Sequence, residues 1–364
     1  MIATIAAASA VLLLAAPTAG ILGHRILKRS RNASLMKIDT PNGIDESGFV
    51  RIGGIDQWVS VRGDDRRNPV ILEIHGGPGA SNLPYTHRTR AWEGHFTLVR
   101  WDMRGAGKTF ARAGSAGQGE LTLERLEADA LELTHHVRAR LGVDRVVLLA
   151  NSFGTVTGLR LARRHPELYA AYVGTDQNVV DGGRNRTAHD ALVDRLTRAG
   201  KRKDLAAVAA LGADGGTWTT RQWSQYNKLT VGSDPLTLDT VKKVVLGSLL
   251  TSPLITLREV LASSKAMSFS GPLCPEATAT VDERAEGTDF ALPFFVFQGA
   301  HDVIAPVAPA RHFFDEVTAP VKEFALIEGA SHFASFRHPD RFLDLLLTKV
   351  LPALPAASVA QSAR

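Results

Sequence analysis

The chain has 364 residues, 45% of them hydrophobic, enough for one large core or for a core domain carrying an inserted second unit. Charged residues at 22% and aromatics at 7% exclude a disordered or fibrous chain, and the single cysteine, Cys274, excludes an internal disulfide framework. The net charge of +5 does not call for nucleic acid. Arg25, Lys28, Arg29 and Arg31 lie among the first 31 residues, which carry no acid, so the remainder holds 5 − 4 = +1.

The first predicted element is the uncharged apolar run Ile2 to Gly23, long enough to cross a hydrocarbon core as a helix despite Pro17, Thr18 and Gly20. The basic cluster follows this run, which places it on the cytoplasmic side. Residues 1–31 are therefore expected to be a single-pass membrane anchor, with the rest of the chain cytoplasmic. The alternative is a cleaved signal segment and an exported protein, but no basic residue precedes the run and Pro17 spoils the small-residue cleavage site. Residues 32–47, with Pro41-Asn42-Gly43, read as a polar linker.

From about residue 48 short β-rich runs alternate with helical stretches. The runs are Gln57–Val61, Val70–His75, Phe96–Trp101, Arg145–Ala150 and Ala170–Val173, and the chief helical stretches are Leu121–Leu141 and Thr155–Arg164. Val146-Val147-Leu148-Leu149-Ala150 is apolar throughout, as a strand covered on both faces requires. The rhythm stops between residues 180 and 290, where helical segments are separated by turn signals such as Gly212–Gly216. It resumes with Leu292–Gln298, Ala310–Val317, Glu323–Ile327 and Arg341–Leu351. The reading is an α/β core over 48–179 and 291–352 with a mostly parallel sheet, a helical lid over 180–290, and a flexible tail over 353–364.

Three positions carry the chemistry. In Val146 to Thr155 a buried strand runs into Asn151-Ser152-Phe153-Gly154 and then a helix, a sharp turn that pushes the Ser152 hydroxyl out above the sheet. The pattern G-x-S-x-G is met as A-x-S-x-G, with Ala150 at the first glycine. A hydroxyl needs an imidazole held by a carboxylate to become nucleophilic. Leu292–Gln298 leads into Gly299-Ala300-His301-Asp302, and Glu323–Ile327 leads into Glu328-Gly329-Ala330-Ser331-His332. Asp302 and His332 thus follow successive strands, in the order Ser, Asp, His that α/β-hydrolases use. Glu328 and His301 read as loop residues beside them, Asp340 as a helix start, and His135, His136 and His312 as helix surface.

Val70–His75 runs into His75-Gly76-Gly77-Pro78-Gly79, a turn whose amides can face a carbonyl oxygen under attack. No GK[ST] follows it, so a phosphate loop is not indicated. HGGPG, the block Trp101-Asp102-Met103-Arg104-Gly105-Ala106-Gly107-Lys108-Thr109, the Ser152 turn and the stretch from His165 to Thr175 together resemble the proline iminopeptidases and related α/β-hydrolases, over about residues 48 to 350. Met103 stands where that family has glutamine. The resemblance implies that Gly77 and Phe153 supply an oxyanion hole and that Trp101 to Arg104 brace the site. It also implies acidic residues gripping a free ammonium, one in a W-S-x-W-E motif, for which Trp223-Ser224-Gln225-Tyr226-Asn227 is the counterpart. Asn227 cannot supply that charge. Asp176 or Asp181 is the substitute, with Trp223 in the wall.

The expected fold is therefore an α/β-hydrolase with a helical lid and an N-terminal hydrophobic helix. The expected function is a serine hydrolase acting through an acyl-enzyme, as an aminopeptidase on small N-terminal residues or as an esterase or amidase on a neutral substrate. An aspartate in place of Ser152 would have indicated dehalogenase or epoxide-hydrolase chemistry. A catalytically idle binding protein is the reading from another class. No cofactor is implied, and without a CxxC pair or HExxH helix no metal site is expected. The expected partners are a small-molecule or short peptide substrate and a membrane met through the N-terminal helix.

Overall fold

The structure, a computed structural model, describes residues 23, 25–180 and 185–355. The expected anchor run, apart from residue 23, and the tail beyond residue 355 lie outside the described residues, as does Asp181. Among the described residues no helix is long and apolar enough to cross a membrane.

The segment expected to be a linker is largely structured. A helix, α1, spans residues 25–35, and the first strand, β1 (Ile44–Ile52), begins inside the expected linker. β1 escapes a pattern search because its middle is half-exposed and polar, IDESGFVRI. It forms because β2 (Ile55–Gly63) folds back on it antiparallel through the Gly53-Gly54 turn, both glycines at positive φ.

The remaining strands are β3 (Val70–Ile74), β4 (Thr97–Asp102), β5 (Val146–Asn151), β6 (Tyr169–Thr175), β7 (Phe294–Gly299) and β8 (Lys322–Ile327). They form one eight-stranded sheet in the order β1-β2-β4-β3-β5-β6-β7-β8, antiparallel at β1/β2 and β2/β4 and parallel from β4 to β8. β5 shows why its run is apolar at every position. Val146, Leu148 and Ala150 join the core on one face, and Val147 and Leu149 join a second core on the other.

Helices α2 (Gly107–Ala113), α3 (Leu123–Leu141) and α4 (Gly154–Arg164) fall between strands. α3 starts where the Thr122 hydroxyl accepts from the Arg125 N–H and ends on Gly142 in the left-handed region. Between β6 and β7 come α5 (Arg186–Arg198), α6 (Arg202–Ala209), α7 (Thr220–Ser233), α8 (Pro235–Thr240), a π-helical stretch over Val241–Leu246, α9 (Gly247–Thr251), α10 (Leu257–Ser270) and α11 (Leu273–Thr280). No strand occurs among the described residues of this segment. It has a small core of its own around Leu192, Leu196, Val208, Trp218 and Tyr226. α12 (Val307–Glu316) lies between β7 and β8, and α13 (Ala334–Arg337) and α14 (Pro339–Leu345) follow β8.

Parallel pairing has a consequence for function. β3, β5, β6, β7 and β8 are neighbours pointing one way, so the loops at their carboxyl ends open on a common crevice.

Candidate active site

Ser152 follows β5 directly and sits at φ +49, a conformation that only a tight packing environment imposes on a residue with a side chain. The turn closes because Gly154 lacks a Cβ: a methyl there would lie 2.5 Å from the carbonyl oxygens of both Ile74 and His75 at the end of β3. The departure at Ala150 is absorbed elsewhere. A Cβ on Gly158, one turn into α4, would stand 2.7 Å from the Ala150 methyl, so glycine at 158 makes the room that alanine at 150 uses.

His332 lies on the loop after β8, with its Nε2 3.0 Å from the Ser152 Oγ and its Nδ1 2.8 Å from the Asp302 Oδ2. Asp302, on the loop after β7, is itself fixed, because its Oδ1 accepts from the N–H groups of Ile304 and Ala305, each at 2.9 Å. The structure thus joins the three residues, 150 and 30 positions apart in sequence, into one hydrogen-bonded line. His332 is buried, which by itself would lower its pKa. The carboxylates of Asp302 and Asp176 outweigh burial and raise it to about 9.

Asp176 lines the cavity with its carboxylate already engaged by backbone amides. It follows β6 at φ +50 and is 1% exposed, and its two oxygens accept from the N–H groups of Phe333 (3.0 Å) and Ala334 (3.3 Å). Its carboxylate therefore holds the loop that carries His332, and Phe333 in that loop is again at positive φ, +67. Ligand-type atoms of Asp176, Asp302 and His332 fall within 4.8 Å of one another. Burial raises the Asp176 pKa against the opposing pull of His332.

Among the described residues, the N–H groups of Gly77 and Phe153 have no hydrogen-bond partner, and both residues line the cavity above Ser152. Trp101 to Arg104 are buried braces. Trp101 Nε1 donates to Gln57 Oε1 at 2.8 Å, and Arg104 Nε to Asp129 Oδ2 at 2.9 Å. Asp102 accepts from the Ser81 hydroxyl at 2.5 Å and from the Lys108 N–H at 2.7 Å, while burial raises its pKa to about 6. His75, lowered to about 4 by burial, is a neutral strut: Nδ1 donates to the Gly76 carbonyl and Nε2 accepts from the Met103 N–H.

The cavity measures about 390 Å³, with Ser152 and His332 in its lining. Val231, Val245, Leu249 and Ile255 from the helical segment line it together with Val179 and Phe336. Trp223 and Asn227 both reach the wall. Trp223 also donates to the Gly215 carbonyl and packs on Trp218 and Tyr226, so it belongs to the small core of this segment as well. Asn227 carries no charge into the cavity. Among the described residues the wall's carboxylates are Asp102, Asp176 and Glu259, and each of these has partners: Glu259 meets Lys108 Nζ at 2.7 Å and the Thr256 N–H at 2.6 Å. The Lys108–Glu259 pair and the Ser81–Asp102 bond went unread in the sequence. Thr256-x-x-Glu259 signals a capping box, but nothing local links it to a lysine on α2.

With this geometry in place, similarity to known proteins can be interpreted. The sequence profile of a family described as alpha/beta hydrolase fold matches residues 69–339. "Probable aminopeptidase YbaC" of Bacillus subtilis is 24% identical over 300 residues, covering 81% of this chain and 93% of its own. "Probable proline iminopeptidase" of Streptomyces coelicolor is 32% identical over 138 residues, 36% of this chain and 42% of its own. The crystal structure of a proline iminopeptidase-related protein from Thermus thermophilus superimposes with a TM-score of 0.57 at 19% identity, covering 86% of this chain and 99% of its own. The profile match spans most of the chain and the relatives are named as hydrolases; the chain is a hydrolase of the alpha/beta hydrolase fold family, similar to its proline iminopeptidase-like members.

Proposed function

We propose that the protein cleaves a carboxylic ester or amide through an acyl-enzyme on Ser152. The observation that carries this reading is the line Ser152 Oγ–His332–Asp302 opening into the cavity. Ser152 Oγ attacks the carbonyl carbon while His332 Nε2 takes its proton, and Asp302 stabilises the imidazolium. The N–H groups of Gly77 and Phe153 receive the oxyanion. His332 then protonates the leaving alcohol or amine, and water, activated by the same imidazole, releases the acid and restores Ser152. Labelling by a fluorophosphonate at Ser152, lost in Ser152→Ala, tests the assignment. Labelling elsewhere, or turnover surviving the substitution, refutes it.

For the substrate, the wall favours a neutral, apolar acyl group, because its carboxylates among the described residues are committed to other donors and Asn227 is uncharged. The second reading, an aminopeptidase for small N-terminal residues, is supported by the similarity to YbaC. Paired chromogenic esters with and without an α-amine separate the two. The segment between β6 and β7 acts in this reading as a lid. The run Ile2 to Gly23 is proposed as a membrane anchor with the hydrolase on the cytoplasmic side, and export after cleavage is the rival that N-terminal sequencing of the cellular protein would reveal.

A further inference from the structure

The exposed large hydrophobic side chains are segregated. Ile26, Leu27 and Leu35 belong to α1 and its end. Leu238, Leu246, Leu250, Leu257, Leu261 and Met267 belong to the stretch from α8 to α10. Among the described residues only Val321 and Leu326 lie elsewhere. Leu27 is 73% exposed and Leu261 75%, values at which the side chain faces solvent almost entirely.

α1 is fastened to this same part of the molecule. Arg29 donates to the carbonyls of Ile255 at 2.7 Å and Pro253 at 3.2 Å, and also to that of Ser252, and Asn32 donates to the carbonyl of Thr251 at 3.1 Å. These bonds grip the 251–255 turn between α9 and α10, and Ile255 in that turn also lines the cavity. The uncharged run Ile2 to Gly23 immediately precedes α1 in sequence, and α1 is held on the 251–255 turn, between Leu250 and Leu257 of the exposed set.

Charge agrees with this placement. α1 carries Arg25, Lys28, Arg29 and Arg31 and no acid. Between 238 and 268 the acids are Asp239, paired with Lys243 and Arg337, and Glu259, paired with Lys108. That leaves Lys242, Arg258 and Lys265 without a carboxylate partner among the described residues. Apolar side chains interspersed with free cations match an anionic lipid surface: leucines enter the acyl boundary and lysines and arginines meet the headgroups.

We infer that α1 together with the outer faces of α8 to α10 forms a bilayer-docking surface, so that the hydrolase lies on an anionic membrane and draws apolar acyl substrate from it. This rests on the proposed anchoring of the N-terminal run. It goes further by assigning which face meets the lipid. Met267 shows the connection between the two, since it lines the cavity and is also exposed on α10.

The test uses the full chain in vesicles of equimolar phosphatidylcholine and phosphatidylglycerol. An environment-sensitive label is placed at Leu261→Cys and, as the control face, at Leu326→Cys on β8, each in a Cys274→Ala background because the native Cys274 is half-buried in the cavity wall, with Cys274→Ala alone as the blank. Brominated lipid should quench the label at 261 and not at 326. Leu250→Glu/Leu261→Glu should lower turnover of a long-chain ester presented in the vesicles about tenfold while changing turnover of a soluble acetyl ester less than about twofold. Flotation with the vesicles but no quenching at 261, or equal quenching at both sites, overturns the docking face and leaves the anchor standing. Absence of flotation overturns both. Energy transfer between labels at 261 on two copies, without lipid quenching, overturns it in favour of a second copy of the chain. Quenching needs no turnover, so the outcome is independent of the Ser152 chemistry.

Discussion

The cavity has two walls of different construction. The floor comes from five adjacent strand ends, where Ser152, Asp176, Asp302 and His332 are each fixed by at least two hydrogen bonds or by strain at positive φ. The roof comes from helices with a small core of their own, joined to the rest by Leu273, Ala277 and Val281 in the main core, by Val244 beside Tyr85 and Phe336, and by polar contacts such as Lys108–Glu259 and the Arg88 bonds to Ser248 and to the Lys243 carbonyl. A preorganised floor suits bond-making, where displacements of an ångström matter. A roof apolar on both its cavity side and its outer side suits, in the proposed reading, substrate choice and entry. In the proposed reading, bond-making belongs to the floor and substrate choice to the roof.

That separation can be broken most sharply at the serine. Ser152→Ala should lower ester turnover by at least about a thousandfold and abolish fluorophosphonate labelling, with thermal melting by circular dichroism close to the parent. Activity retained above that level would move the chemistry away from the floor.

Next in size is a packing test of the floor itself. Gly158→Ala should destabilise the fold by about 1–3 kcal/mol in urea melts, because its methyl would meet the Ala150 Cβ at 2.7 Å and Tyr172 at 3.1 Å. Ala150→Gly in the same chain should recover part of the loss. If the double variant were no more stable than Gly158→Ala, the pairing of these two positions would be wrong.

A smaller effect is expected at Asp176. Asn at this position removes a carboxylate facing His332 and weakens its hold on the Phe333 and Ala334 amides, so kcat should fall about tenfold. The pH dependence carries the diagnosis. His332 is raised from 6.5 to about 9, so the protonated, non-basic form is favoured in the folded protein and kcat/KM should climb as pH rises toward 9. In Asp176→Asn the climb should occur at lower pH. An unchanged pH profile would reduce Asp176 to loop support alone.

The smallest change belongs to the roof. Asn227→Glu should raise the preference for α-amino esters over their des-amino counterparts about threefold to tenfold, with little change in kcat on the neutral substrate. A large loss on the neutral ester would show that roof and floor are less separable than their construction indicates.

The sequence by itself determined the sheet strands that are buried on both faces, because an unbroken apolar run bounded by turn residues has few other uses. It also placed Ser152, Asp302 and His332 at strand ends in a meaningful order, since local punctuation marks each turn. Local signals fail where a role depends on partners far along the chain. β1 was missed because half of it faces water, and its strand state is imposed by β2. Asp176 read as a free acid because nothing near it in sequence announces the amides of residues 333 and 334. Ala150 departs from the glycine of the pattern, and the space it uses is left by Gly158, eight residues on. Only tertiary structure decided these, and only it brought α1 onto the turn at 251–255, because hydrogen bonds across more than two hundred residues leave no periodicity to read.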